Sequence, residues 1–261
     1  MLHAVWNLVL ARAADSEAAT AATLVTAVAL YAIPAAVTWD VGVDALPFVL
    51  GSALFELGYL ITLAAAYGRG DLSVVYPLAR GSAPVLVVVV SVGLLGAATS
   101  PAELVGIAVV ATGVMLVRGF RRPGSRTVIV LALVCGACIA GYTIVDAHGI
   151  ARAGALPYLW LVLALTALGY VPLVARMRGT AALRSAFRPA TLLAGALFVA
   201  AYLLVLAALR LAEPGPVAAV RETSVVMAAV LGYLVLREPV TRARAAGAAV
   251  VVAGVAVIAV S

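Results

Sequence analysis

Residues 72–96 read LSVVYPLARGSAPVLVVVVSVGLLG, an apolar run in which Arg80 is the sole charge. A run of this length suits a membrane-spanning α-helix, which needs roughly 20 apolar residues to cross about 30 Å of hydrocarbon. An arginine at the centre of such a helix costs roughly 3 kcal/mol on insertion scales, so it marks a functional position by default. A second apolar run, residues 215–236, carries Arg221 in the same way, with Glu222 beside it.

Composition extends this reading to the whole chain. Of 261 residues, 66% are hydrophobic and 11% charged, against about 25% charged in a soluble globule. Ten apolar segments can be marked, at about 1–11, 18–39, 45–67, 72–96, 101–118, 127–149, 156–176, 190–210, 215–236 and 240–260. Short breaks with turn and charge signals separate them: residues 40–44, Arg69-Gly70-Asp71, Ser100-Pro101, residues 118–126, residues 176–188 and Arg237-Glu238-Pro239. Helices are expected throughout, because lipid satisfies no backbone group and the ten-residue alternation of a membrane β-barrel is absent. Only 11 residues precede Arg12, too few for a full span, which suggests a start further upstream.

All 17 basic residues are arginines and the net charge is +6. They gather in the loops after segments one, three, five, seven and nine, whereas the alternate loops hold only Arg152 and Arg210. The positive-inside rule makes the arginine-rich loops cytoplasmic and puts both termini outside. Arg-rich patches interleaved with aromatics, which a nucleic-acid partner would need, are missing.

The chain repeats itself. Tyr59-Leu60 through Leu63-Ala64-Ala65 matches Tyr202-Leu203 through Leu206-Ala207-Ala208, an offset of 202 − 59 = 143. After a two-residue gap the offset becomes 221 − 80 = 141, which pairs Arg80 with Arg221, Gly106 with Gly247 and Gly113 with Gly254. The reading is an all-α integral membrane protein of about ten spans, in two five-helix repeats at 1–122 and 123–261. Five is odd, so the second repeat is inverted, the arrangement in which secondary transporters hold substrate between halves near the midplane. The paired glycines read as close helix packing.

The chemistry gathers around the two arginines. Pro77, Gly81 and Pro84 should break or kink the fourth segment, and Pro214-Gly215-Pro216 its counterpart. An arginine fork there can hold a carboxylate or phosphate, so an anionic or zwitterionic small molecule is the natural substrate. Tyr76, Ser82, Thr223 and Ser224 would support it, with Glu56 and Glu222 as orienting acids, partners of the arginines or carriers of a coupling proton. Because Glu222 adjoins Arg221, Arg80 is expected to be the freer charge.

Three further groups stand out. His3, Trp6 and Asn7 share one helix face, as a cavity wall or an interfacial anchor. Asp146 and His148 read as a solvated helix end in preference to a gate. Cys135 and Cys138 read as small side chains at a helix contact, with no neighbours to complete a metal site. No cofactor is implied.

These stretches resemble the EamA branch of the drug/metabolite transporter superfamily over essentially the full chain. The carrying motifs are LHAVWN at 2–7, GDLSVVYPLARGSAP at 70–84, GYTIVDAHG at 141–149, AAVRETSVV at 218–226 and LREPVT at 236–241, the last with Arg237 where the family usually has Gly. The resemblance implies a non-enzymatic carrier in the cytoplasmic membrane that exports or exchanges a small metabolite by alternating access. Many relatives keep both termini in the cytoplasm, opposite to the charge pattern here. The competing reading is an integral-membrane enzyme or accessory subunit acting on a phosphorylated or lipid-linked substrate.

Overall fold

The computed structural model describes residues 2–11, 13–67, 69, 72–118, 125–224, 226, 227, 230 and 241–260. Among them the regular structure is helical, apart from one isolated bridge between Val41 and Ala153. The helices are α1 (Leu2–Ala11), α2 (Ser16–Val37), α3 (Leu46–Tyr67), α4 (Leu72–Gly93), α5 (Pro101–Arg118), α6 (Arg126–Gly149), α7 (Ala155–Arg178), α8 (Thr180–Ser185), α9 (Pro189–Leu209), α10 (Pro214–Arg221) and α11 (Arg242–Ala259).

Among the described residues, six segments are long and apolar enough to cross a membrane: Ser16–Val37, Val43–Ala66, Arg126–Gly149, Ala155–Arg178, Pro189–Leu209 and Arg242–Ala259. Leu78–Gly93 and Pro101–Val117 are shorter apolar helices. Large apolar side chains stand outward on these segments, among them Ile33, Leu54, Leu168 and Leu204, each at least 65% exposed. In water such surfaces would aggregate; against lipid tails they cost nothing. The chain is therefore an all-helical, multi-pass membrane protein.

Helix ends follow local chemistry. Asp15 Oδ1 accepts the backbone N–H groups of Glu17 (3.1 Å) and Ala18 (3.0 Å) to start α2. Ser100 and Glu103 form a reciprocal capping box ahead of α5, at 3.1 and 2.7 Å. Pro214 takes the first position of α10, where its fixed φ and missing N–H fit a helix start.

The chain folds as two compact units that interleave in sequence. The first comprises Met1–Leu57 and Val145–Arg210. In it α2 packs on α7 and α9, and α1 lies along α9. Gly195 lets α9 approach α2 closely: an added Cβ would sit 3.0 Å from the Thr23 carbonyl oxygen. Polar tips on these faces reach backbone acceptors, Trp160 Nε1 to Val28 O (2.8 Å) and Tyr31 Oη to Ala196 O (3.2 Å).

The second unit comprises Gly58–Ile144 and Leu211–Ser261. Its closest helix pair is α5 with α11, around a core of Ile107, Val110, Val114, Val117, Ala219 and Val251. The glycines make the approach possible, and they do so reciprocally. A Cβ on Gly106 would lie 3.0 Å from Gly254 O, and one on Gly113 would lie 2.9 Å from Gly247 O. From the other side, a Cβ on Gly254 would meet Gly106 O and one on Gly247 would meet Gly113 O, both at 2.8 Å. Gly247→Val is expected to destabilise the protein by about 3 kcal/mol, the upper range for overpacking, because the obstacles are backbone atoms that cannot rotate away. Thermal unfolding in detergent measures it, and an unchanged melting temperature would disprove the packing argument.

Candidate functional site

In the second unit, Arg80 on α4 reaches Glu222, at the end of α10. Arg80 Nη1 donates to Glu222 Oε1 at 3.3 Å, and the residues are 5% and 0% exposed. Arg221 Nε lies 4.0 Å from the same oxygen, too far for a hydrogen bond. Its guanidinium instead sits 5.7 Å above the Tyr142 ring, which meets Tyr59 edge to face at 6.3 Å. Four polar atoms on neighbouring residues, Arg221 Nε and Nη2, Glu222 Oε2 and Ser224 Oγ, are buried without a hydrogen-bond partner among the described residues. Buried polar groups left unpaired are costly, so several in one place require an explanation.

This geometry reverses the expectation that Arg80 is the freer charge. Arg80 is bonded to Glu222, and Arg221 is the arginine with donors to spare. The backbone explains how both reach one carboxylate. Helix α10 ends at Arg221; Glu222, still in the right-handed helical region (φ −71°, ψ −7°), tightens the chain into a turn with its N–H on Ala219 O (3.0 Å), and the helix resumes at Thr223. The interruption therefore lies at Glu222 and not at Pro214-Gly215-Pro216, which open the helix. The fourth segment does not break either: α4 runs unbroken from Leu72 to Gly93 through Pro77 and Pro84.

The supporting residues divide. Ser82 donates within its own helix to Ala79 O (3.3 Å) and touches Gly136, where α6 crosses α4. Thr223 likewise donates to Val220 O (2.8 Å) and is turned to its own backbone. Ser224 is buried, and its hydroxyl has no hydrogen-bond partner among the described residues. Tyr76, His3 and Asn7 lie on helices, but their side chains fall outside the described residues. Cys138 packs on α3, where a Cβ at Gly58 would lie 3.1 Å from its Sγ, and Cys135 is fully buried; both are free thiols.

The first unit holds a polar centre of its own. Asp146 is 1% exposed, not a solvated helix end. Its Oδ1 accepts from Tyr158 Oη at 2.9 Å and its Oδ2 from Tyr202 Oη at 2.6 Å. His148, two residues on, is exposed. Successive helical residues turn about 100°, so Asp146 faces α7 and α9 while His148 faces away. Ser52 and Glu56, one turn apart on α3, are both buried. Trp6 meets Phe198 edge to face at 5.0 Å, and Phe198 lies 6.1 Å from Tyr202. Trp6 is thus an interior side chain, 8% exposed, not an interfacial anchor.

Together these features define a multi-pass helical membrane protein that keeps charged and hydroxylated side chains buried among its spans. The chain belongs to the EamA-like transporter family, whose model matches residues 126–260, just over half its length. It is accordingly a membrane transporter of a small molecule, in a lipid environment. A solved structure titled only "Crystal structure of protein" shares the fold at a TM-score of 0.74 and 18% identity, covering 99% of this chain and 94% of that one. No curated protein matches the chain.

Proposed function

We propose that this protein is a secondary active carrier that exports or exchanges a small anionic or zwitterionic metabolite across the cytoplasmic membrane. Its ten segments would work as two inverted five-helix repeats, 1–122 and 123–261, rocking about a fixed site. Arg221 is the substrate's charge partner, Arg80 and Glu222 hold it in place, and Ser224 supplies a hydroxyl. Tyr76, Ser82 and Thr223 lie close in sequence to these groups. Glu56 is the candidate carrier of a coupling proton, and His3, Trp6 and Asn7 belong to the wall of the pathway.

The observation that carries this reading is the set of unspent donors on Arg221, buried beside a helix interruption. Irregular backbone at membrane depth is tolerated where it lines a protein-enclosed cavity, and a guanidinium edge with free N–H groups fits a carboxylate or phosphate bidentately. The reciprocal glycine contact of α5 and α11 supports the inverted repeat. The test is a thermal-shift screen of the purified protein against dicarboxylates, phosphorylated sugars and amino acids. A ligand at a hundred times its Kd stabilises by about 2.7 kcal/mol, which predicts a rise of several degrees for at least one compound. No rise with any of the three classes would overturn the anion reading.

A further inference from the structure

Arg152 and Arg210, the arginines that stand apart from the arginine-rich loops and from the buried pair, come together in one cavity of the first unit. It measures about 560 Å³, and its lining includes Asp40, Ile150, Arg152, Ala153, Leu209 and Arg210. It sits where α2, α6 and α9 end. The opposite end of α2 carries the exposed cluster of Arg178 with Glu17 (2.7 Å) and Asp15 (3.8 Å). The 22 residues of α2 separate the two ends, about 33 Å at 1.5 Å per residue, so the cavity opens on the other membrane face. Trp39, beside Asp40, is 51% exposed. Exposed tryptophan at a helix end is characteristic of the headgroup layer.

The cavity is built from backbone that is tied together. Gly154 N donates to Asp40 O at 2.6 Å next to the Val41–Ala153 bridge, joining the loop after α2 to the turn after α6. Arg210 Nη2 donates to Ile150 O (3.1 Å) and Ala153 O (2.6 Å), joining the end of α9 to the same turn. Arg152 Nη1 donates to His148 O at 2.6 Å, and its guanidinium lies 4.6 Å above the Phe48 ring, which stacks on His148. Capping carbonyls of α6 and its turn uses one edge of each guanidinium. A guanidinium has five N–H donors, so each keeps others, and neither arginine forms an ion pair among the described residues.

We propose that this cavity is a binding site for a phosphate-type oxyanion, held between Arg152 and Arg210 at the headgroup level. Two pre-positioned forks supply charge and parallel donors, while the Asp40 carboxylate on the same wall repels the anion and keeps the affinity modest. The phosphate can belong to a lipid headgroup or to a free solute.

The full chain carries three tryptophans, so a Trp6→Phe/Trp160→Phe background leaves Trp39 as a local fluorescent reporter. Inorganic phosphate titrated into this protein in lipid-free detergent is expected to give a saturable change in Trp39 emission. Arg152→Gln should weaken the apparent affinity about tenfold, and Asp40→Asn, which removes the repulsion without touching an arginine, should strengthen it about threefold. In nanodiscs containing phosphatidylglycerol, loss of the phosphate response identifies a lipid headgroup as occupant, and its persistence identifies a free anion; both support the site. An absent or non-saturable response in detergent would overturn it, as would equal affinities in the parent and both variants.

Discussion

Arg221→Gln is expected to abolish substrate-driven exchange in proteoliposomes while leaving the melting temperature within a few degrees of the parent. The asymmetry between function and stability follows from the partners. Arg221 Nε and Nη2 make no hydrogen bond among the described residues, and its nearest carboxylate oxygen is 4.0 Å away. Removing the charge therefore breaks no intramolecular hydrogen bond at those atoms, and Glu222 keeps Arg80 at 3.3 Å. What is lost inside the protein is the contact over the Tyr142 ring, worth about 0.5–2 kcal/mol, and the 4.0 Å ion pair with Glu222, whose carboxylate keeps its hydrogen bond to Arg80. The substrate loses far more. A charge-assisted hydrogen bond contributes about 1.5–3 kcal/mol, so losing a bidentate pair weakens binding on the order of a hundredfold or beyond. Uptake at the parent rate would remove Arg221 from the site. A large fall in melting temperature would show instead that its role is structural.

How much of this was legible in the sequence depended on whether the deciding forces were local. The helical membrane class was legible, because the length of an apolar run is set by bilayer thickness and needs no knowledge of the fold. The position of the buried charges was legible for the same reason. Their pairing was not. Glu222 adjoins Arg221 in the chain, yet neighbours at i and i+1 do not face each other on a helix. The hydrogen bond goes instead to Arg80, 142 residues away. The expected break at Pro77 and Pro84 failed on a related point. The penalty for proline in a helix is learned in water, whereas membrane helices tolerate it when neighbours re-satisfy the freed carbonyl. Pro34 and Pro172 likewise lie inside unbroken helices α2 and α7. Asp146 was misread because nothing near it announces Tyr158 and Tyr202, 12 and 56 residues further on. One signal was present: Tyr202 belongs to the repeat match with Tyr59, so a tyrosine at that level of α9 was visible, though not the acid it would bind.

The contrasting expectation concerns Arg80. Arg80→Ala should cost roughly 3–5 kcal/mol, the range for breaking a buried ion pair by removing one partner, enough to lower the folded yield sharply. Glu222 has a fully buried side chain, and after the substitution its carboxylate would face only Arg221, beyond hydrogen-bond reach. The cost thus arises less from the attraction lost than from a buried carboxylate that loses its hydrogen bond and keeps only the 4.0 Å ion pair with Arg221. That distinction makes a sharper test. If the stranded carboxylate is the cause, the double variant Arg80→Ala/Glu222→Gln should be more stable than Arg80→Ala alone, with a coupling energy of about 1–3 kcal/mol in a double-mutant cycle. Stability measured by unfolding in detergent, with transport assayed in parallel, then separates the two arginines. The double variant should fold and still fail to transport, because the carboxylate that shares Arg221's surroundings is gone. Additive stabilities in the cycle would mean that Arg80 and Glu222 do not depend on each other, and the division of labour between a structural Arg80 and a substrate-facing Arg221 would fall.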